Sequence, residues 1–137
     1  MRSMLSGTSS LMAHKTKMDV IAHNVANINT NDFKSSRVTL QDSFPQTIQR
    51  ARMANMETAD AGTNPSQVGS GVSIASIYRS TAPGAQIMVG GTTETMSNTD
   101  LAVEMTTMIT TQRGFEASAR VIPVVGSMLD EVSNLRG

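Results

Sequence analysis

The chain has 137 residues, eleven cations balanced by eleven carboxylates, and no cysteine. That length holds one domain; the absence of cysteine excludes disulfides, thiolate zinc sites and thiol nucleophiles; and no basic block of the kind that binds nucleic acid is present. Aromatic anchors are confined to Phe33, Phe44, Phe115 and Tyr78, while eleven methionines supply flexible apolar filler suited to contacts that must tolerate sliding.

The first ten residues show no cationic cluster followed by an unbroken apolar run, so neither a secretory signal nor a membrane span is expected there. Instead Met4/Leu5, Leu11/Met12, Met18, Ile21, Val25 and Ile28 recur at steps of three and four, which predicts a helix from about Ser3 to Val25 or Ile28. Asn24, Asn27, Asn29 and Asn31 crowd its end, and asparagine favours caps and turns over helix interior. Asp32–Leu40 reads as extended, anchored by Phe33. A short helix broken by Pro45 is expected over residues 41–50, followed by an unpatterned linker from Ala51 to Ser66.

Val72–Tyr78 alternates with a period of two and predicts a strand. A second extended stretch, Gln86–Val89, lies between Pro83-Gly84 and Gly90-Gly91 and predicts a small hairpin. Ser97-Asn98-Thr99-Asp100 then offers several caps for a long C-terminal helix, where the dipole favours Asp100 and Glu104. Its stripe is Leu101, Met105, Met108, Phe115, Ile122, Val125, Leu129 and Val132. Pro123 should kink this helix near 119–123 without stopping it, because the apolar spacing resumes at Val125. Gly114 and Gly126 are points where another backbone could approach closely.

The expected fold is therefore mainly α: long N- and C-terminal helices paired as an antiparallel coiled coil, with a mostly irregular middle containing a small β-hairpin. Residues 1–30 and 97–137 would form the paired domain and residues 31–96 the extended linker. Charge supports the pairing, since residues 1–37 carry a net +3 and residues 97–137 a net −2. Exposed pairs contribute only about 0–1 kcal/mol each, so charge selects partners more than it stabilises.

Chemistry-bearing patterns are weak. His14 and His23, nine residues apart, share no helix face and have no second ligand nearby, so they read as solvated or loop-packing side chains and no metal is expected. No Gly-x-Ser-x-Gly elbow occurs, and Gly69-Ser70-Gly71 lacks the Gly and Lys of a phosphate loop. No enzymatic activity and no cofactor are expected. The N-terminal helix has only two close lysines on its polar face, so a membrane surface is not the expected partner.

The stretch Met18-Asp19-Val20-Ile21-Ala22-His23-Asn24-Val25-Ala26-Asn27-Ile28-Asn29-Thr30-Asn31-Asp32-Phe33-Lys34 resembles the signature of bacterial flagellar rod and hook proteins. Met96-Ser97-Asn98-Thr99-Asp100-Leu101-Ala102, with Gln112-Arg113-Gly114-Phe115-Glu116-Ala117 further on, resembles the matching C-terminal end of that family. Lys34-Ser35-Ser36-Arg37 and the run from Gly62 to Val72 look most like hook protein.

The resemblance implies a subunit, exported through the flagellar export apparatus without a cleaved signal peptide, that self-assembles into a helical tube. Its expected place is the hook or basal body, with neighbouring axial and junction proteins as further partners. The two stripes would supply the subunit interface, and Asn24, Asn27, Asn29 and Phe33 the turn out of the inner helix. Hook proteins carry large outer domains, whereas here only a short stretch separates Tyr78 from Ser97. Hook is the first reading and a basal-body rod subunit the second. A soluble coiled-coil adaptor is the alternative from another class.

Overall fold

The two end segments are helical for reasons local to each. In the computed structural model, which describes residues 2–54 and 61–135, α1 spans Arg2–Ala26. It closes where Asn27 donates its backbone N–H to the His23 and Asn24 carbonyls and its side-chain amide to His23 again at 2.9 Å. The long C-terminal helix, α2, spans Leu101–Asn134. A rise of about 1.5 Å per residue makes it roughly 50 Å long. Asp100 is its N-cap: Oδ1 accepts from the Ala102 N–H at 2.9 Å and from the Val103 N–H at 3.2 Å. These bonds meet two of the four donors that a helix start leaves free. Thr106, Thr107, Thr110 and Thr111 each donate a hydroxyl to the carbonyl four residues back, which satisfies the hydroxyls of a β-branched polar run within the helix. The helix continues through Pro123, as the resumed spacing predicts.

Between the helices lie β1 (Ser36–Asp42), β2 (Gln46–Gln49), β3 (Ser66–Val68), β4 (Val72–Arg79), β5 (Gln86–Val89) and β6 (Thr92–Thr95). They form three separate antiparallel pairs, β1 with β4, β2 with β3 and β5 with β6. The expected strand and hairpin are both found, but they do not pair with each other. The β4 strand reaches back to β1 in register Val38↔Ile77, with a bulge at Thr39/Leu40. The hairpin is completed by β6, across a two-residue Gly90-Gly91 turn in which both residues have positive φ.

The short helix expected over residues 41–50 is absent, and β2 takes its place. Pro45 disfavours helical backbone at Phe44 and leaves β-branched Thr47 to pair with Gln67 of β3, with Ile48 at a bulge in the register. The Ala51–Ser66 segment, expected to be unpatterned, carries an Arg52↔Thr63 bridge and opens β3 at Ser66; its residues 55–60 lie outside the described part.

Packing centres on α1. It lies against α2 along one side and against β1 and β4 along another, whereas among the described residues α2 packs on no element except α1. Contacts between the helices run in opposite directions: Gly7 faces Ser118, Val121 and Ile122, the Ser10 and Ser118 hydroxyls meet at 2.8 Å, His14 lies over Gly114, and Asn24 reaches Glu104. In each pair the two residue numbers sum to about 128, a constant antiparallel register. Among the described residues the buried apolar side chains are Ala13 and Ile21 alone.

Candidate functional site

At the turn out of α1 the backbone reverses and enters β1, and three asparagines hold it there. Asn24, fully buried at 0% exposure, treats Ser36 as a strand neighbour would. Its Oδ1 accepts from the Ser36 N–H at 2.9 Å and its Nδ2 donates to the Ser36 carbonyl at 2.7 Å. The same Nδ2 donates to Glu104 Oε1 at 3.2 Å. One side chain thus joins α1, β1 and α2.

Asn98 repeats the device from the other side. Its Oδ1 accepts from the Ser35 N–H at 2.7 Å, its Nδ2 donates to the Ala82 carbonyl at 2.8 Å, and its own N–H donates to the Phe33 carbonyl. Asn31 donates to Glu94 on β6 at 2.7 Å, and the Asp32 N–H donates to the Thr95 carbonyl. Residues 31–36 are therefore gripped at several backbone groups, which satisfies polar atoms that burial would otherwise leave unpaired.

Of the expected turn residues, Asn24 makes this clasp, and Asn27 accepts from Thr30 Oγ1 at 3.2 Å within the turn. Phe33 sits edge-on to the His23 ring with centroids 5.5 Å apart, just ahead of β1. Asn29 is exposed. The expected stripes split. Ile21 is buried, while Met4, Leu11, Met18, Val25, Ile28, Met108, Phe115, Ile122 and Val125 are half-buried. Leu5, Leu101, Met105, Leu129 and Val132 remain exposed.

The seam between the helices also contains residues outside those stripes: Gly7, Ser10, His14, Thr111, Gly114 and Ser118. These small or polar residues let the helices approach closely. Their own three- and four-residue spacing, 7-10-14 and 111-114-118, is the sequence signal that marks them.

His14, expected to be solvated or packed in a loop, is part of this seam. A β-carbon on Gly114 would lie 2.9 Å from its Cε1, and its buried Nδ1 has no hydrogen-bond partner. Burial, and secondarily the nearby Lys17 ammonium, holds its pKa below the usual 6.5. As pH falls through 6.5 the unfolded chain takes up the proton first, so stability present above that pH declines until the lower folded value is passed. Between pH 7.5 and pH 5 the wild type should therefore lose more thermal stability than His14→Gln. Equal losses in circular-dichroism melts would show that His14 is not strained at this seam.

The comparisons with known proteins fall on these same segments. Residues 4–34 match the family described as flagella basal body rod protein, and residues 93–135 match the flagellar basal body rod FlgEFG protein C-terminal family. The flagellar hook protein FlgE of Treponema pallidum is 43% identical over 104 residues, 76% of this chain and 21% of that protein. The FlgE of Borreliella burgdorferi is 49% identical over 77 residues, 56% of this chain and 17% of that protein. The chain belongs to the flagellar rod and hook family.

The flagellar basal-body rod protein FlgG of Bacillus subtilis is 44% identical over 77 residues, 56% of this chain and 28% of that protein. The chain thus spans about a fifth of the hook proteins' length and somewhat more of the rod protein's. Membership in this family of flagellar structural proteins places it in the bacterial flagellum. The two family segments contain both helices, with Asn24 in the first and Asn98 and Glu104 in the second. The strands from β1 to β5 lie between them. Among the described residues no helix is long and apolar enough to cross a membrane.

Proposed function

We propose that this chain is a self-assembling subunit of the flagellar axis, most like the hook, in which α1 and α2 pair as an antiparallel coiled coil lining a helical tube. The observation that carries this reading is that α2 packs on α1 alone and leaves Leu101, Met105, Ile109, Val124, Met128 and Val132 exposed. Two such apolar patches, one toward each end of α2, left open on a monomer mark surfaces meant for other subunits. The constant antiparallel register, with contacts stepping by three and four, supports the coiled-coil geometry.

In this reading the terminal helices form one unit and residues 31–96 a peripheral one, joined through the Asn24 clasp. The chain's work is mechanical and not catalytic. Its further partners are other axial and junction proteins and the export apparatus. A basal-body rod subunit is the second reading, favoured by the short distance from Tyr78 to Ser97 and by the Bacillus subtilis rod relative.

Electron microscopy of concentrated protein tests the proposal. A regular tube is expected, curved for a hook and straight for a rod. A monodisperse dimer that never polymerises would favour the adaptor reading instead. Leu129→Asp and Met108→Asp should each abolish the polymer by placing an unpaired charge in an apolar contact. Intact filaments in both variants would remove these stripes from the interface.

A further inference from the structure

Among the described residues, no α1 residue stands opposite the C-terminal end of α2 in the antiparallel register. Arg2 stands opposite about residue 126, so Ser127–Leu135 form an overhang past the described part of α1. A β-carbon on Gly126 would meet nothing within 4 Å. In this overhang Met128 and Val132 are 64% and 63% exposed, Leu129 is 39% exposed, and Asp130 and Glu131 have no ion-pair partner among the described residues. It is an apolar and acidic peg.

Far from it, between α1, β1, β4 and α2, lies a cleft of about 230 Å³. Val20, Ile21 and Val38 give it an apolar floor, and Lys17 and Arg37 line it as well. Neither cation has an ion-pair partner among the described residues. Glu104, also in the lining, is 5% exposed and engaged by Asn24, so the two unpaired cations outnumber it and leave the cleft net cationic.

We infer that the overhang Ser127–Leu135 of one copy seats in the Lys17/Arg37 cleft of a second copy. This deepens the self-assembly reading and rests on it. The overhang cannot reach its own cleft: Asp130 and Lys17 stand about 19 residues apart in the shared register, roughly 28 Å along a stiff helix. In a second copy displaced by that distance, Leu129 and Val132 meet Val20 and Val38 while Asp130 and Glu131 meet Lys17 and Arg37. Because peg and cleft are different surfaces, the contact is head-to-tail and adds copies without limit unless the rotation closes a ring.

Charge reversal tests this directly. Asp130→Lys/Glu131→Lys and Lys17→Glu/Arg37→Glu should each lower the sedimentable polymer by on the order of tenfold or more, with unchanged helical circular dichroism. An equimolar mixture of the two should polymerise again, since each variant's peg then matches the other's cleft. The absence of native cysteine allows a second readout that leaves all charges in place. Val132→Cys protein mixed with Thr39→Cys protein should form the mixed disulfide dimer on mild oxidation.

Wild-type-like polymer in either reversed variant, an inactive mixture, or no mixed disulfide under polymerising conditions would overturn the contact while leaving self-assembly standing. Failure of the wild type itself to polymerise would remove both.

Discussion

Asn24→Ala is expected to lower the unfolding free energy by about 3–5 kcal/mol, the range for removing one partner from a buried charged hydrogen-bond set. The substitution takes away both backbone bonds to Ser36 and the amide that engages Glu104, whose carboxylate is nearly inaccessible to water. Leucine would restore the volume but not the bonds and should be no better. Asn24→Asp exchanges a donor for a second carboxylate facing Glu104, and should be at least as damaging. Urea unfolding followed by far-UV circular dichroism measures the loss. If the clasp acts as one unit, Asn24→Ala/Glu104→Ala should lose less than the sum of the single variants, because each alone leaves the other group unpaired. Strict additivity would mean that Asn24 and Glu104 act independently.

Gly71→Ala should cost about 2–4 kcal/mol through two mechanisms that add. The residue has φ +111°, which L side chains rarely adopt, and a β-carbon there would collide with Ser9 Oγ and lie 3.1 Å from the Ser6 Cα. Gly71 is where the chain touches α1 on its way into β4: the next N–H, that of Val72, donates to Ser9 Oγ at 3.4 Å, and the Gly71 carbonyl accepts from Ser43. Moving it detaches the β1–β4 pair from the first half of α1. Hydrogen exchange should show faster exchange at Val72 and Ser43 while the hairpin of β5 and β6 is unaffected. A loss under about 1 kcal/mol would mean that the loop shifts freely away from the helix.

The parts of the fold that depend on local chemistry were legible in the sequence. Helix spacing placed α1 within a residue or two, the Ser97–Asp100 run marked the start of α2, and the alternation of Val72–Tyr78 marked β4. What depends on distant partners was not. Pairing of β4 with β1 instead of with the nearer β5 is decided by packing against α1, which no local pattern records. Over residues 41–50 the weak helix reading overlooked what Pro45 imposes on Phe44.

The site divides the same way. Asn24 stood out as one of four asparagines crowding the end of an apolar helical stripe, but nothing local ties it to Glu104, 80 positions later. Asn98 looked like one cap candidate among several, and its grip on Ser35 emerges only when the two family segments meet. The apolar residues drew attention away from the small ones. Glycine, serine, threonine and His14 line the helix seam beside stripe residues such as Ile122.

Because α2 leans only on α1, the order in which the chain becomes available governs when it can fold. Closing Asn24 onto Glu104 or Gly7 onto Ile122 joins residues separated by most of the chain, and the entropy of closing such a loop must be met before any seam contact forms. High sequence separation of this kind slows folding. A chain delivered N-terminus first would carry an unpaired α1 through nearly its whole passage, and α2 would find its partner only at the end. In such a delivery the pairing of two segments this far apart would work as a timer, postponing the completed helix pair until α2 has arrived.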